Sequence, residues 1–235
     1  MYREEDRRYA EDSKNTYPLI YGVKDPTAEE IEALKRTKRE YCDNYLIPNF
    51  DKLFIDKNKR TVLEFGSGQG IMAEHISAQF KKYICVDVNN TFLDQCKDNT
   101  SNCSNVEYRY VKDYYFNGLE VEENSIDIIT ATNVFCHCNF YQFVIYFEKF
   151  YKLLKNDGVI FFDLLNSDDL DWSSKLIVEQ KKYYQKTSNL NFIMYPFSSS
   201  VLIKQLSNIG LELIEDAKSG GGFNLLGFKK VPKII

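Results

Sequence analysis

Residues 62–70 read Val-Leu-Glu-Phe-Gly-Ser-Gly-Gln-Gly, an apolar strand pattern running into three alternate glycines, with a helix-like segment opening at Ile71. Glycines let the main chain take positive φ and let a ligand approach with no Cβ in the way. Asp87 ends the next apolar run, 21 residues past Gly66. A carboxylate there can accept hydrogen bonds from both hydroxyls of a ribose. His137, one of two histidines, follows another apolar run and is the residue best suited to move a proton near neutral pH. Cys136-His137-Cys138 is the only tight cluster of metal-ligand types, and no second pair completes four zinc ligands. No metal is expected, and the six cysteines read as small buried hydrophobes.

The elements that must position these residues show in the hydrophobic pattern. Short apolar runs fall at 61–65, 83–88, 106–111, 126–131 and 159–165, with helix-like segments at 71–80, 91–98 and 140–155. Apolar strands alternating with helices are what a parallel sheet covered on both faces produces. Residues 211–217 and 223–229 break the rule, because Ser219-Gly220-Gly221-Gly222 joins them as a hairpin. The expected class is α/β, a Rossmann-like and mostly parallel sheet with helices on both faces. In such a sheet ligands bind beyond the carboxyl ends of the strands. His137 falls at that edge, and so does an insertion at 166–196 holding Asp168, Asp169, Asp171, Trp172, Tyr183 and Tyr184. The insertion either covers a substrate or is an extra helix without ligand contact.

Two cofactor chemistries compete for the glycine loop. A dinucleotide loop of the form GxGxxG/A needs Gly or Ala at position 71, where helix and strand pack closely, and the residue is Ile71. Glu64, two residues before Gly66, would repel a pyrophosphate but suits ammonium and sulfonium charges. S-adenosylmethionine carries both.

With these pieces in place, the chain resembles the class I S-adenosylmethionine-dependent methyltransferases over residues 60–165 and again in the terminal hairpin. The matching segments are VLEFGSGQG, ICVDVN, Lys112-Asp113-Tyr114, DIITATNVFCH and LLKNDGVIFF. The resemblance implies a seven-stranded sheet with a reversed last strand and cofactor over the first two strands. It implies that Gly66, Ser67, Gly68 and Gly70 lie near the methionine moiety, with Glu64 beside the loop and Asp87 on the ribose. Val88 would flank adenine, Asp113 its exocyclic amine with Tyr114 beside it, and Asn133 would lie near the sulfonium. A turn-capping role is the other reading of Asp113.

Methyl transfer is an in-line displacement at an activated carbon, so the enzyme mainly positions a nucleophile and excludes water. A hydroxyl nucleophile also needs a base, and His137 is the candidate, against a purely structural histidine. Several acceptors are argued down. The Asn/Asp-Pro-Pro-aromatic motif of amino-methylating DNA enzymes is replaced by Asn133-Val134-Phe135-Cys136, and the Pro-Cys nucleophile of cytosine enzymes by Phe135-Cys136. Metal-dependent catechol enzymes need an Asp in this loop that is missing here, although Asp163, Asn166 and Asp168 could serve the second half of such a site. The segment from Asn133 to Phe162 also resembles sugar-modifying methyltransferases. The first expectation is O-methylation of a sugar or surface-polysaccharide precursor. N-methylation of a small amine or amino sugar, tRNA or protein methylation, and a non-catalytic partner subunit remain as alternatives.

Size and charge agree with one such core plus additions. The 235 residues, 44% apolar and 27% charged, suffice for a core without disulfides or metal. A net charge of −4 gives no basic face for nucleic acid. The charged start MYREEDRRY has no signal-like apolar stretch, no run approaches the roughly 20 residues of a membrane span, and a cytoplasmic protein is expected. Residues 1–59 read as a lid and helical cap, with Tyr17 and Tyr21 in the lid and a capping box from Thr27 to Glu30 opening a helix that Pro48 ends or bends. Residues 60–235 form the core. The 17 Tyr and 17 Phe reflect mainly genomic composition, with the cap and insertion as places to look for substrate contacts.

Overall fold

A computed structural model of the chain describes residues 27–112, 119–187, 194–220 and 222–232. The lid residues Tyr17 and Tyr21, and Asp113 and Tyr114, lie outside them. Strands alternate with helices as the hydrophobic pattern requires. Seven strands, β1 Thr61–Phe65, β2 Lys82–Asp87, β3 Val106–Tyr110, β4 Ile126–Ala131, β5 Leu154–Leu165, β6 Leu211–Gly220 and β7 Phe223–Lys230, make one mixed sheet in the order β3-β2-β1-β4-β5-β7-β6. Only β7 is reversed, running antiparallel to β5 and β6. The chain divides between Glu120 and Val121 into two compact units.

In the first unit, α1 (Ala28–Tyr41) begins directly after Thr27. Pro48 does not end the helix. One π-helical turn, Cys42–Leu46, carries it into α2 (Ile47–Leu53), with Pro48 in the first turn of α2. The turn aims Cys42 and Leu46 inward with Phe50, which packs edge-on against Phe80 at 5.8 Å. Strands β1, β2 and β3 pair in parallel, Phe65 opposite Val86 and Asp87 opposite Tyr110. Helix α3 (Ile71–Ile76) follows β1 and α4 (Asn90–Asn99) follows β2, so each begins at a strand's carboxyl end.

The second unit is built around aromatic packing. In α5 (Phe140–Leu153) the buried residues Phe143, Tyr146, Phe147, Phe150 and Leu153 recur at helical spacing. Asn139 and Gln142 close a capping box at its start. Phe135 sits in the middle of this set, with ring centroids 5.1 Å from Phe147, 5.2 Å from Phe143 and 5.4 Å from Phe162. Phe135, Phe143, Phe147, Phe150 and Phe162 thus all lie in this core. The insertion contains α6 (Leu170–Thr187) and is followed by α7 (Ser199–Ile209). Buried Lys230 ties β7 back by donating from Nζ to the Leu154 carbonyl at 2.7 Å and Asn124 Oδ1 at 3.0 Å.

Candidate functional site

The glycine loop leaves β1 in a chain of positive φ: 71° at Gly66, 53° at Gly68 and 75° at Gly70. Gly66 and Ser67 both donate their N–H to the Val86 carbonyl, at 2.8 and 3.0 Å, and Gly70 N–H returns to the Ser67 carbonyl at 3.0 Å. Gly70 cannot be replaced without movement. A Cβ there would lie 2.5 Å from Cys96 Sγ and 3.1 Å from Cys96 Cα, so the loop rests directly on α4. A Cβ on Gly68 would meet nothing within 4 Å, so the main chain at Gly68 has open space in front of it.

Asp87, buried at the end of β2, holds this loop. Its Oδ2 accepts the Gly68 N–H at 2.9 Å and its Oδ1 the Asn89 N–H at 2.8 Å. Asn89 in turn caps α4 by accepting from the Thr91 and Phe92 N–H groups. Burial raises the Asp87 carboxyl to about 6, against the donors Gly68, Asn89 and Val88 that pull it down. Val88 follows, half-buried. Glu64 is deeper. It is 3% exposed, and its Oε2 accepts the Tyr83 hydroxyl at 2.9 Å. Burial raises it to about 7, with Tyr83 and Lys38 opposing and the Asp87 charge adding to the rise.

These features fit S-adenosylmethionine. Two buried carboxyls held above their usual range gain from a cationic ligand, and a pyrophosphate would add to their repulsion. Ile71, where a dinucleotide loop wants Gly or Ala, is buried at the start of α3. Glu64, Gly66, Ser67, Gly68, Gly70, Asp87 and Val88 thus come together around one loop, with Glu64 turned toward Tyr83. Sequence reasoning missed Tyr83, Asn89 and Cys96. A lone Glu inside an apolar strand was the available signal for Tyr83, since such a group needs a buried partner.

In the second unit Asn133 lies just past β4, exposed, with φ 57°. Its N–H donates to Asp163 Oδ1 at 2.7 Å, and Asp163 is 3% exposed near the end of β5. His137 closes a 3-10 turn, Phe135–His137, whose first residue is anchored in the aromatic core. Burial pushes the imidazole down to about 4, which keeps it neutral at physiological pH. The insertion reaches this turn. Tyr195 N–H donates to the Cys136 carbonyl at 2.7 Å, and Cys136 packs with Leu165 and Leu176, against which Trp172, Met194 and Phe223 lie. The insertion is therefore stitched to the segment carrying His137. His75 sits elsewhere, with Nε2 on Asp43 Oδ1 at 2.7 Å.

Asp168 Oδ2 accepts from Ser199 Oγ at 3.0 Å and the Ser200 N–H at 3.4 Å, at the start of α7. Among the described residues no group of three or more His, Cys, Asp or Glu is placed to hold a metal ion, and no helix is long and apolar enough to cross a membrane.

Comparison with known proteins places this architecture. A search of curated protein sequences finds no match. Among solved structures the chain is similar to the magnesium protoporphyrin IX methyltransferase of Synechocystis PCC 6803 with bound SAH, at TM-score 0.68 and 10% identity, over 96% of this chain and 98% of that one. It is similar to a proposed sarcosine dimethylglycine methyltransferase from Galdieria sulphuraria, at TM-score 0.64 and 15% identity, over 93% and 98%. A SAM-dependent methyltransferase from Aquifex aeolicus matches at TM-score 0.58 and 14% identity, over 78% and 88%. At these identities the likeness is one of fold. The family model described as a methyltransferase domain matches residues 35–216, well over half of the sequence. The chain therefore belongs to the methyltransferase-domain family, as a class I S-adenosylmethionine-dependent methyltransferase.

Proposed function

We propose that this enzyme methylates a small molecule in the cytoplasm, with a hydroxyl of a sugar or surface-polysaccharide precursor as the acceptor. The observation that carries the reading is the neutral, half-buried His137 on a turn bonded to the 166–196 insertion. S-adenosylmethionine supplies an electrophilic methyl group when bound. The chain's own residues do the rest. Gly66, Ser67, Gly68 and Gly70 give a close approach for the methionine part, with Glu64 beneath them. Asp87 takes the ribose hydroxyls, Val88 flanks the adenine, and Asp113 and Tyr114 read its amine side. Asn133 serves the sulfonium. His137 accepts the acceptor's proton, and the insertion excludes water around it.

A second reading has its own support. An imidazole lowered to about 4 is a weak base for a hydroxyl but adequate where the acceptor is an amine already in its free-base form. N-methylation of a small amine is therefore the alternative. Conversion of S-adenosylmethionine to S-adenosylhomocysteine, screened against sugar nucleotides and small amines, tests both. For a hydroxyl acceptor, His137→Asn should lower turnover on the order of 10²–10⁴-fold with cofactor affinity unchanged. Undiminished turnover with a sugar would remove His137 from the reaction. Turnover with amines alone would replace the first reading by the second.

A further inference from the structure

The two loops just described are held by the same device. Asp87 ends β2 and grips Gly68, which follows the neighbouring strand β1. Asp163 lies near the end of β5 and grips Asn133, which follows its neighbour β4. Both carboxylates are nearly fully buried, and each accepts the N–H of a residue in the left-handed region, at φ 53° and 57°. The difference is the residue held. Glycine takes this conformation freely, whereas Asn takes it at a conformational cost. At Asn133 the chain accepts that cost and leaves the side chain exposed. Strain of this kind persists only where surrounding contacts over-determine it, and it gathers at functional sites. The residues just before it add an independent sign. The hydroxyls of Thr130 and Thr132 are buried with no hydrogen-bond partner among the described residues. Unsatisfied buried groups at a strand's carboxyl end are unusual unless a ligand or water meets them.

We propose that Asp163 is a positioning residue. By holding the Asn133 main chain in the left-handed conformation, it presents the Asn133 carboxamide to the methyl-bearing sulfonium. This rests on the S-adenosylmethionine reading above. It assigns Asp163 a role distinct from metal ligation.

The test is the ratio of affinities for S-adenosylmethionine and S-adenosylhomocysteine, measured by calorimetry on the full chain. The two ligands differ only in the methyl group and its charge. Asn133→Ala and Asp163→Ala should both shift the ratio against S-adenosylmethionine, on the order of tenfold. The double variant should shift it no further than either single, because the two act as one unit. Asp163→Asn keeps an acceptor oxygen and should retain most of the wild-type ratio; should Asp163→Ala fail to fold, a ratio in Asp163→Asn shifted as far as in Asn133→Ala overturns the proposal. If Asp163→Ala lowers the melting temperature but leaves the ratio alone, or if the double variant is additive, the proposal is overturned. An unchanged ratio in Asn133→Ala overturns it too, by removing Asn133 from the methyl group. If the wild type binds neither ligand, the cofactor reading fails first.

Discussion

The glycine loop of the first unit and the His137 turn of the second are built from opposite materials. The first is main chain and charge: three positive-φ glycines, a row of N–H donors and two buried carboxyls. The second is a short turn clamped by apolar anchors, with Phe135 in a cage of rings and Cys136 under the insertion. Burial favours the neutral form in both, yet the outcome differs. Around Glu64 and Asp87 hydrogen-bond donors oppose burial, and the acids stop near 7 and 6, within reach of a ligand's charge. At His137 burial is the cause of the shift, and the imidazole falls to about 4. One region is poised to respond to charge, and the other is kept silent to it.

The contrast breaks first at Asp87. Asp87→Ala removes the acceptor for Gly68 and Asn89 together. It should weaken S-adenosylmethionine binding on the order of 10- to 100-fold by calorimetry, since hydrogen bonds to a charged group are worth about 1.5–3 kcal/mol. Unchanged affinity would mean that the loop holds its shape and its ligand without charge. Gly70→Ala asks whether the loop's geometry is as strict as its contacts suggest. The added Cβ meets Cys96 at a backbone angle unsuited to alanine, so a loss of about 1–3 kcal/mol in urea unfolding is expected. A stable variant would show that α4 yields.

The smallest effect sharpens the difference in sign. Glu64 titrates near 7 in the fold against an ordinary 4.5, so the native state binds more protons between those values. Its contribution to stability therefore falls as pH rises through that window. His137 titrates near 4 against an ordinary 6.5, so the unfolded state binds more protons and stability falls as pH drops from about 6.5 to 4. Glu64→Gln and His137→Gln should remove slopes of opposite sign from stability-versus-pH curves. Slopes of the same sign would refute the contrast.

The two regions also differ in how far their residues announced them. The glycine spacing, Glu64 and Asp87 placed the first loop because strand, turn and carboxylate lie close in sequence and obey local rules. The strands were legible for the same reason, as was the hairpin joining β6 and β7. At Pro48 the sequence left open whether the helix ends or bends; the chain passes through a π turn and goes on, which no local pattern reveals. Asp163 was visible as a lone acid in an apolar strand, but its partner Asn133 lies 30 residues away. Tyr195 meets Cys136 across an even longer separation.

The sequence by itself determined the class of fold and the cofactor loop, since periodicity and glycine chemistry are local, and its motifs carried the resemblance to the methyltransferase family. Tertiary structure alone decided that Phe143, Phe147, Phe150 and Phe162 gather around Phe135, that the insertion is bonded to the His137 turn, and that Asp163 holds Asn133. It also set the charge states, because a pKa depends on burial and on partners that only the folded chain brings together.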